Sequence, residues 1–165
     1  MKQFIGTKII NAKPMTRLEY NQFRGWELPA DENGEDEGFL VEYVDGGAAN
    51  TTEYSGYVSW SPADVFARAY KTSGNLTFGD AIEYMKQGAK VSRKGWNGKA
   101  MYLSYKVGYP NGVPANEAHA KAHNCNIGDI IKYAPYIEMK TADDMFVPWL
   151  ASQTDILAED WEVVL

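Results

Sequence analysis

The sequence contains a single cysteine, Cys125, which excludes an internal disulfide and offers no spacing for a metal cage. Its neighbours are two asparagines, so no cation activates it as a nucleophile. Long apolar runs are absent too. None approaches the roughly 20 residues of a membrane span, and the first residues lack the apolar core of a secretion signal. The expectation is a soluble cytoplasmic protein with no membrane partner. Neither standard glycine-rich phosphate loop occurs, and there is no Gly-x-Ser-x-Gly elbow. Histidine is scarce. His119 and His123 stand four apart, a spacing that can chelate a metal on a helix, but no zinc-protease glutamate or clear third ligand accompanies them. An exposed polar pair is the expectation there, with no metal and no cofactor.

Acidic residues are missing from one long stretch. Between Tyr84 and Asn116 there is no Asp or Glu, while Lys86, Lys90, Arg93, Lys94, Lys99 and Lys106 all fall there. The chain as a whole is acidic, with a net charge of −6, which argues against coating of a nucleic-acid polymer. A basic island in an acidic chain has two explanations. One is an anionic ligand, with Arg93 or Lys94 on its charge and Trp96 offering a flat apolar face. The other is a solvated hairpin balanced by acidic loops elsewhere. The centre of the island, Val91 to Leu103, reads as two short strands folded back at Asn97-Gly98, a pair that tight hairpin turns accept readily.

What is present suits a packed fold. The chain has 165 residues, 45% of them apolar, enough for one ordinary domain or two very small ones. Phe4 to Ala12 reads as a strand before Pro14, and Thr16 caps a helix whose box is closed by Glu19 and whose staple is Met15 on Tyr20. The run from Glu27 to Gly38 is acidic but lacks the spacing of a calcium loop, so it reads as a solvated loop. Phe39 to Tyr43 and Gly56 to Trp60 read as strands. Ser61 then caps a helix with Pro62 at its first position, Asp64 closing the box and Val65, Phe66, Ala69 and Tyr70 on its buried stripe. Thr72-Ser73-Gly74-Asn75 is the linker candidate, dividing residues 1–74 from residues 75–165.

The second half starts in the same way, with Thr77 and Asp80 boxing a helix that ends at Gly88. Gly108 to Asn126 reads as loop-rich, with Pro110-Asn111-Gly112 and Pro114 before an alanine-rich helix, Ala115 to His123, and Ile127 to Tyr133 reads as a strand or a bend. Tyr136 to Thr141 and Met145 to Leu150 form a strand pair, Ser152 to Asp155 a capped helical turn, and Asp160 to Val164 the last strand. The class is α+β: some seven short, mainly antiparallel strands with three or four short helices.

Catalytic chemistry finds little to work with. Asp143-Asp144 and Glu159-Asp160 are adjacent carboxylates of a kind common in turns. Binding finds more. Trp96, Asn97, Trp149, Ser152, Gln153, Thr154, Asp155 and Asp160 supply aromatic faces, hydroxyls, amides and carboxylates suited to a nucleotide. Trp161 reads as core, and Trp149, between Pro148 and Ser152, as part of an exposed turn.

Two runs carry a resemblance: Thr77-Phe-Gly-Asp-Ala-Ile-Glu with Val91-Ser-Arg-Lys-Gly-Trp-Asn-Gly-Lys, and the closing segment from Val147 to Val163. Across residues 75–165 the chain resembles a small phage and prophage domain, the second type of Thoeris anti-defence protein. The resemblance implies a homotetrameric sponge, not an enzyme, that sequesters glycocyclic ADP-ribose signals in the host bacterial cytoplasm. Some relatives also hold cyclic oligonucleotides in separate sites. Arg93, Trp96, Asn97 and the segment from Trp149 to Asp160 match the signature and become the pocket candidates, with Lys94 beside them. Residues 1–74 resemble another small phage module through Pro14-Met15-Thr16, Arg24-Gly25-Trp26, Leu40-Val41-Glu42-Tyr43 and Tyr57-Val58-Ser59-Trp60-Ser61-Pro62. Two other readings stay open: a phosphodiesterase or glycohydrolase with Asp155 or Asp160 as general base, and a structural phage protein without a small ligand.

Overall fold

Thr16, Thr77 and Ser152 each accept a hydrogen bond from the backbone N–H three residues on, and the carboxylates of Glu19, Asp80 and Asp155 accept in turn from the cap's own N–H. These reciprocal boxes satisfy donors that a helix start otherwise leaves bare, so three helices begin where short-range chemistry dictates. The structure is a computed structural model, and it describes residues 1–96 and 99–165. The chain divides into two units, Met1–Lys71 and Thr72–Leu165.

In the first unit, β1 (Asn11–Pro14), β2 (Gly38–Tyr43) and β3 (Tyr57–Pro62) form an antiparallel sheet with β2 central. Helix α1 (Arg17–Arg24) ends at Gly25, whose φ of 68° is left-handed. Tyr20 from α1 packs on Leu40 and Val58, with Met15, Phe23, Tyr54 and Trp60 around them. The expected strand from Phe4 to Ala12 is corrected. Pairing runs only from Asn11↔Glu42 to Pro14↔Phe39, and Phe4 and Ile5, beyond the reach of β2, are exposed.

The Ser61 cap is also corrected. Ser61 and Pro62 stay in β3, opposite Phe39 and Gly38, so α2 (Ala63–Ala69) starts one turn position later with no side-chain cap. Ladder hydrogen bonds hold Ser61 extended and take precedence over its local capping preference. Helix α2 buries none of its residues, Val65 included, and its main contact is Phe66 stacked on Phe39 at 4.0 Å.

The second unit begins with α3 (Phe78–Lys86), then β4 (Lys90–Arg93), a 3-10 helix (Lys94–Lys99) and β5 (Tyr102–Lys106). The proposed Asn97-Gly98 turn lies outside the described residues, and the residues before it do not continue the strand as expected. Side chains alternate along a strand, so an extended chain would put Trp96 on the face opposite Val91. Helical winding after Arg93 instead brings Trp96 against Trp161, on the Val91 side of the sheet. The two strands still pair, at Val91↔Leu103.

The Gly108–Asn126 loop is corrected in part. Tyr109–Pro114 is β6, which pairs with β7 (Ile130–Tyr133) across a register shift, and Gly112 takes a φ of 85° there. Between them α4 (Glu117–His123) starts two residues after Ala115, because Asn116 caps it by accepting from His119 N–H at 2.9 Å. The rest of the chain gives β8 (Tyr136–Lys140), β9 (Phe146–Pro148), α5 (Gln153–Ile156) and β10 (Trp161–Val164). The main sheet runs β10-β4-β5-β8-β9. Its core is Leu76, Ala81, Met85, Val91, Leu103 and Trp161.

The class is α+β with short, antiparallel strands, as expected. The described residues hold ten strands and five α-helices, more of each than the sequence suggested. Among them no helix is long and apolar enough to cross a membrane.

Candidate functional site

Cross-strand pairing puts Arg93, the last residue of β4, opposite Trp161, the first of β10. Asp160 therefore stands beside Arg93, and the α5 cap brings Asp155 to the same point. Arg93 forks onto Asp160, with Nε donating to Oδ1 at 2.8 Å and Nη2 to Oδ2 at 3.3 Å, while Nη1 donates to Asp155 Oδ1 at 3.1 Å. The second oxygen of Asp155 accepts from Ser152 Oγ at 2.6 Å and Ser152 N–H at 3.2 Å. Thr154 Oγ1 joins the Ser152 hydroxyl at 2.8 Å. Five candidates thus form one network: Arg93, Ser152, Thr154, Asp155 and Asp160.

The network is only partly wet. The side chains of Arg93, Asp155 and Asp160 are 25%, 15% and 37% exposed. Hydrogen bonds to Asp160, then Asp155, raise the Arg93 pKa against the effect of burial. For Asp155, burial alone would push the carboxyl up. The Ser152 hydroxyl and N–H and the Arg93 guanidinium outweigh it, and the group sits below its ordinary 3.8.

A depressed carboxylate pKa stabilises the fold above the unfolded value and loses that contribution as pH falls through the folded one. Unfolding free energy is therefore expected to drop as pH is lowered below about 4. Glu42 in the first unit, lowered by hydrogen bonds from Asn11 and then Gly56 N–H, acts with the same sign. Urea titrations of the parent and Asp155→Asn, compared between about pH 5 and pH 3, isolate the Asp155 share as the part of the acid slope that the variant lacks.

Trp96 and Trp149 are placed differently from the stacking platforms expected. Both are half-buried, edge-on to Trp161 at 5.5 and 6.2 Å and to each other at 6.3 Å. The exposed turn expected at Trp149 is corrected, since Phe78 also packs on its ring at 5.8 Å. Asn97 lies outside the described residues. Lys94 is exposed and makes no ion pair among the described residues.

Three of the six cations of the basic island are paired with carboxylates among the described residues. Glu83 takes Lys86 at 2.8 Å, Glu138 takes Lys106 at 3.0 Å, and Arg93 has its two aspartates. Three of the five N–H donors of Arg93 are thereby engaged, leaving one on each terminal nitrogen. The cluster has one positive and two negative charges, so Arg93 braces two carboxylates before it can meet any anion.

His119 and His123 stack at 4.3 Å, and Tyr133 Oη sits 3.1 Å from His119 Nδ1. No group of three or more metal-ligating side chains occurs among the described residues. The sequence reading missed the apolar surface around the network: Leu150, Ile156 and Leu157 are 92%, 46% and 74% exposed. Their only signal was position, on the turns that carry the polar candidates.

Residues 76–164 match the Thoeris anti-defense 2-like domain family, Tad2-like. A relative from Bacillus phage SP01, Thoeris anti-defense 2, is 40% identical over 92 residues, which cover 54% of this chain and 94% of the relative. Every member of the Arg93 network lies inside the matched segment. Through residues 76–164, the chain belongs to the Thoeris anti-defense 2-like family.

Proposed function

We propose that this protein is a phage anti-defence sponge. It binds a cyclic nucleotide immune signal of the glycocyclic ADP-ribose type and holds it without cleaving it, in the cytoplasm of the host bacterium. Family membership supports the anti-defence role. The observation that carries sequestration over hydrolysis is the state of the carboxylates. A general base works best with a pKa near the operating pH. Asp155, held low by Ser152 and Arg93, is a weak base, and Asp160 is gripped by the Arg93 fork. The same hydroxyls, free guanidinium N–H groups and carboxylates suit ribose and phosphate recognition.

The pocket is completed by a second copy of the chain. Leu150, Ile156 and Leu157 form an apolar rim beside polar groups, and Tyr109, Ile130 and Tyr133 are further exposed apolar residues on the β6–β7 ribbon. Monomers rarely leave such clusters uncovered. Assembly as a homo-oligomer, a tetramer by family resemblance, buries them and encloses the ligand.

The test is a melting panel of glycocyclic ADP-ribose isomers, NAD and cyclic di- and trinucleotides, followed by boiling the complex that forms. A ligand held only by the folded state adds about 4 kcal/mol at a thousandfold excess over Kd. A sponge releases it intact. Recovered cleavage products would establish the enzyme, and no shift with any nucleotide would leave a structural protein.

A further inference from the structure

The Met1–Lys71 unit lies outside the matched segment and has a cleft of its own, of about 330 Å³, lined by Arg17, Tyr20, Asn21, Trp26, Glu32 and Trp60. That volume is at the lower end of small-molecule sites, roughly 300–1,000 Å³. It admits one flat ring with a substituent and is too small for a dinucleotide.

Local chemistry builds its walls. The left-handed Gly25 turns the chain back over α1, and Trp26 N–H donates to Asn21 O at 2.8 Å. Trp60 is the fixed wall, since its Nε1 donates to Met15 O at 2.8 Å and the Arg17 guanidinium covers its ring at 4.4 Å. Trp26 is the open wall. Arg24 lies over it at 4.5 Å and Tyr20 meets it edge-on at 6.1 Å, yet it remains 54% exposed. An indole held in place by two neighbours and left accessible is prepared for stacking.

The polar groups of the cleft are specific. Asn21 is only 9% exposed and donates through Nδ2 to Arg17 O, while its Oδ1 accepts no hydrogen bond among the described residues. Glu32 takes Arg17 Nη1 at 2.8 Å. Arg17 Nε is buried and unsatisfied, 3.4 Å from Asp36 but not aligned for a hydrogen bond. The cleft thus combines unused acceptors with the Arg17 guanidinium, whose Nη2 makes no hydrogen bond among the described residues. A guanine edge has the complementary set, the O6 acceptor and the N2 amino donor. Arg17 and Arg24 against Glu32 and Asp36 leave no net charge, so the cleft holds no surplus cation for a phosphate.

The geometry points to a second ligand site in the first unit, where Trp26 stacks a neutral guanine-type base whose edge meets Asn21, Glu32 and Arg17. It does not rest on the sequestration reading, because none of its residues lies in the matched segment.

Calorimetric titration of the full chain with guanosine and guanosine monophosphate tests it. Guanosine is expected to bind saturably, and the monophosphate no tighter. Trp26→Ala should weaken guanosine about ten- to a hundredfold, the worth of one stacked base. Trp26→Phe, which keeps a stacking ring, should retain most of the affinity and guards against a folding defect in the alanine variant. Glu32→Gln should weaken guanosine as well, while Arg93→Met should leave its binding unchanged. No saturable binding at millimolar guanosine, binding that survives Trp26→Ala, loss through Arg93→Met, or tighter binding of the monophosphate would each overturn the assignment.

Discussion

Trp161→Ala is expected to be the most destabilising single change in the second unit, at about 3–5 kcal/mol of unfolding free energy. The ring is fully buried, with Phe78, Trp96 and Trp149 at 5.3, 5.5 and 6.2 Å. Its Nε1 also donates to Asp155 O at 3.1 Å, so truncation removes packing and leaves a carbonyl without that donor. Aromatic neighbours locked by one another cannot collapse far into the space, which puts the cost in the upper part of the range for large-to-small changes. In a unit of this size the melting temperature should fall on the order of 20 °C. Trp161→Phe keeps most of the contact area and should lose well under half as much. Thermal unfolding followed by circular dichroism checks both. A loss below about 1 kcal/mol for alanine would mean that the tryptophan cluster is not what holds this half together.

That result matters for the site because Trp161 joins core to network. Its side chain holds α5 through Asp155 O, and its backbone pairs with Arg93. A loosened Trp161 would let the Asp155 and Asp160 carboxylates drift from the guanidinium.

The sequence was most readable where the decisive contacts are short-range. The boxes at Thr16, Thr77 and Ser152 need only partners three residues away, and all three formed. Ser61 carried an equally good local signal and failed. Its backbone belongs to a ladder with Phe39, 22 positions earlier, which capping logic does not see. The extended reading of Lys94 to Trp96 failed for a related reason: Trp96 gains more by entering the aromatic core than by continuing an extended strand. Strand β6 was hidden by Pro110, Asn111 and Gly112, which read as loop but sit in a two-stranded ribbon with an irregular register.

The site was readable as a list and not as an arrangement. Aromatic, hydroxyl and carboxylate residues near Trp149 to Asp160 were evident, and so was Arg93. Their mutual engagement spans 62 and 67 residues of sequence and depends on β10 pairing with β4. Hence Arg93 looked like a free anion receptor, whereas it first braces two aspartates. Likewise the tryptophans looked like open platforms, whereas Trp161 draws both into the core and leaves them half-buried.

Arg93→Met should therefore affect stability and binding together. Losing one partner of a fully buried ion pair costs about 3–5 kcal/mol. Here Asp155 and Asp160 are 15% and 37% exposed, so water screens the stranded charges and the expected loss falls to roughly 1–3 kcal/mol. Arg93→Lys keeps the charge but not the fork. An ammonium on a flexible stem cannot serve both aspartates with the geometry of Nε, Nη1 and Nη2. Lysine should consequently recover only part of the stability, and ligand affinity should drop at least tenfold in both variants if the network frames the pocket. A double-mutant cycle with Asp155→Asn separates bracing from a direct ligand contact. Removing the stranded carboxylate should offset part of the Arg93→Met loss, with a coupling of about 0.5–3 kcal/mol in urea unfolding. Additivity within about 0.5 kcal/mol would mean that Arg93 does not hold Asp155 in place. Any loss of affinity in Arg93→Met would then have to come from its own contact with the ligand, through the two N–H groups that the aspartates leave free.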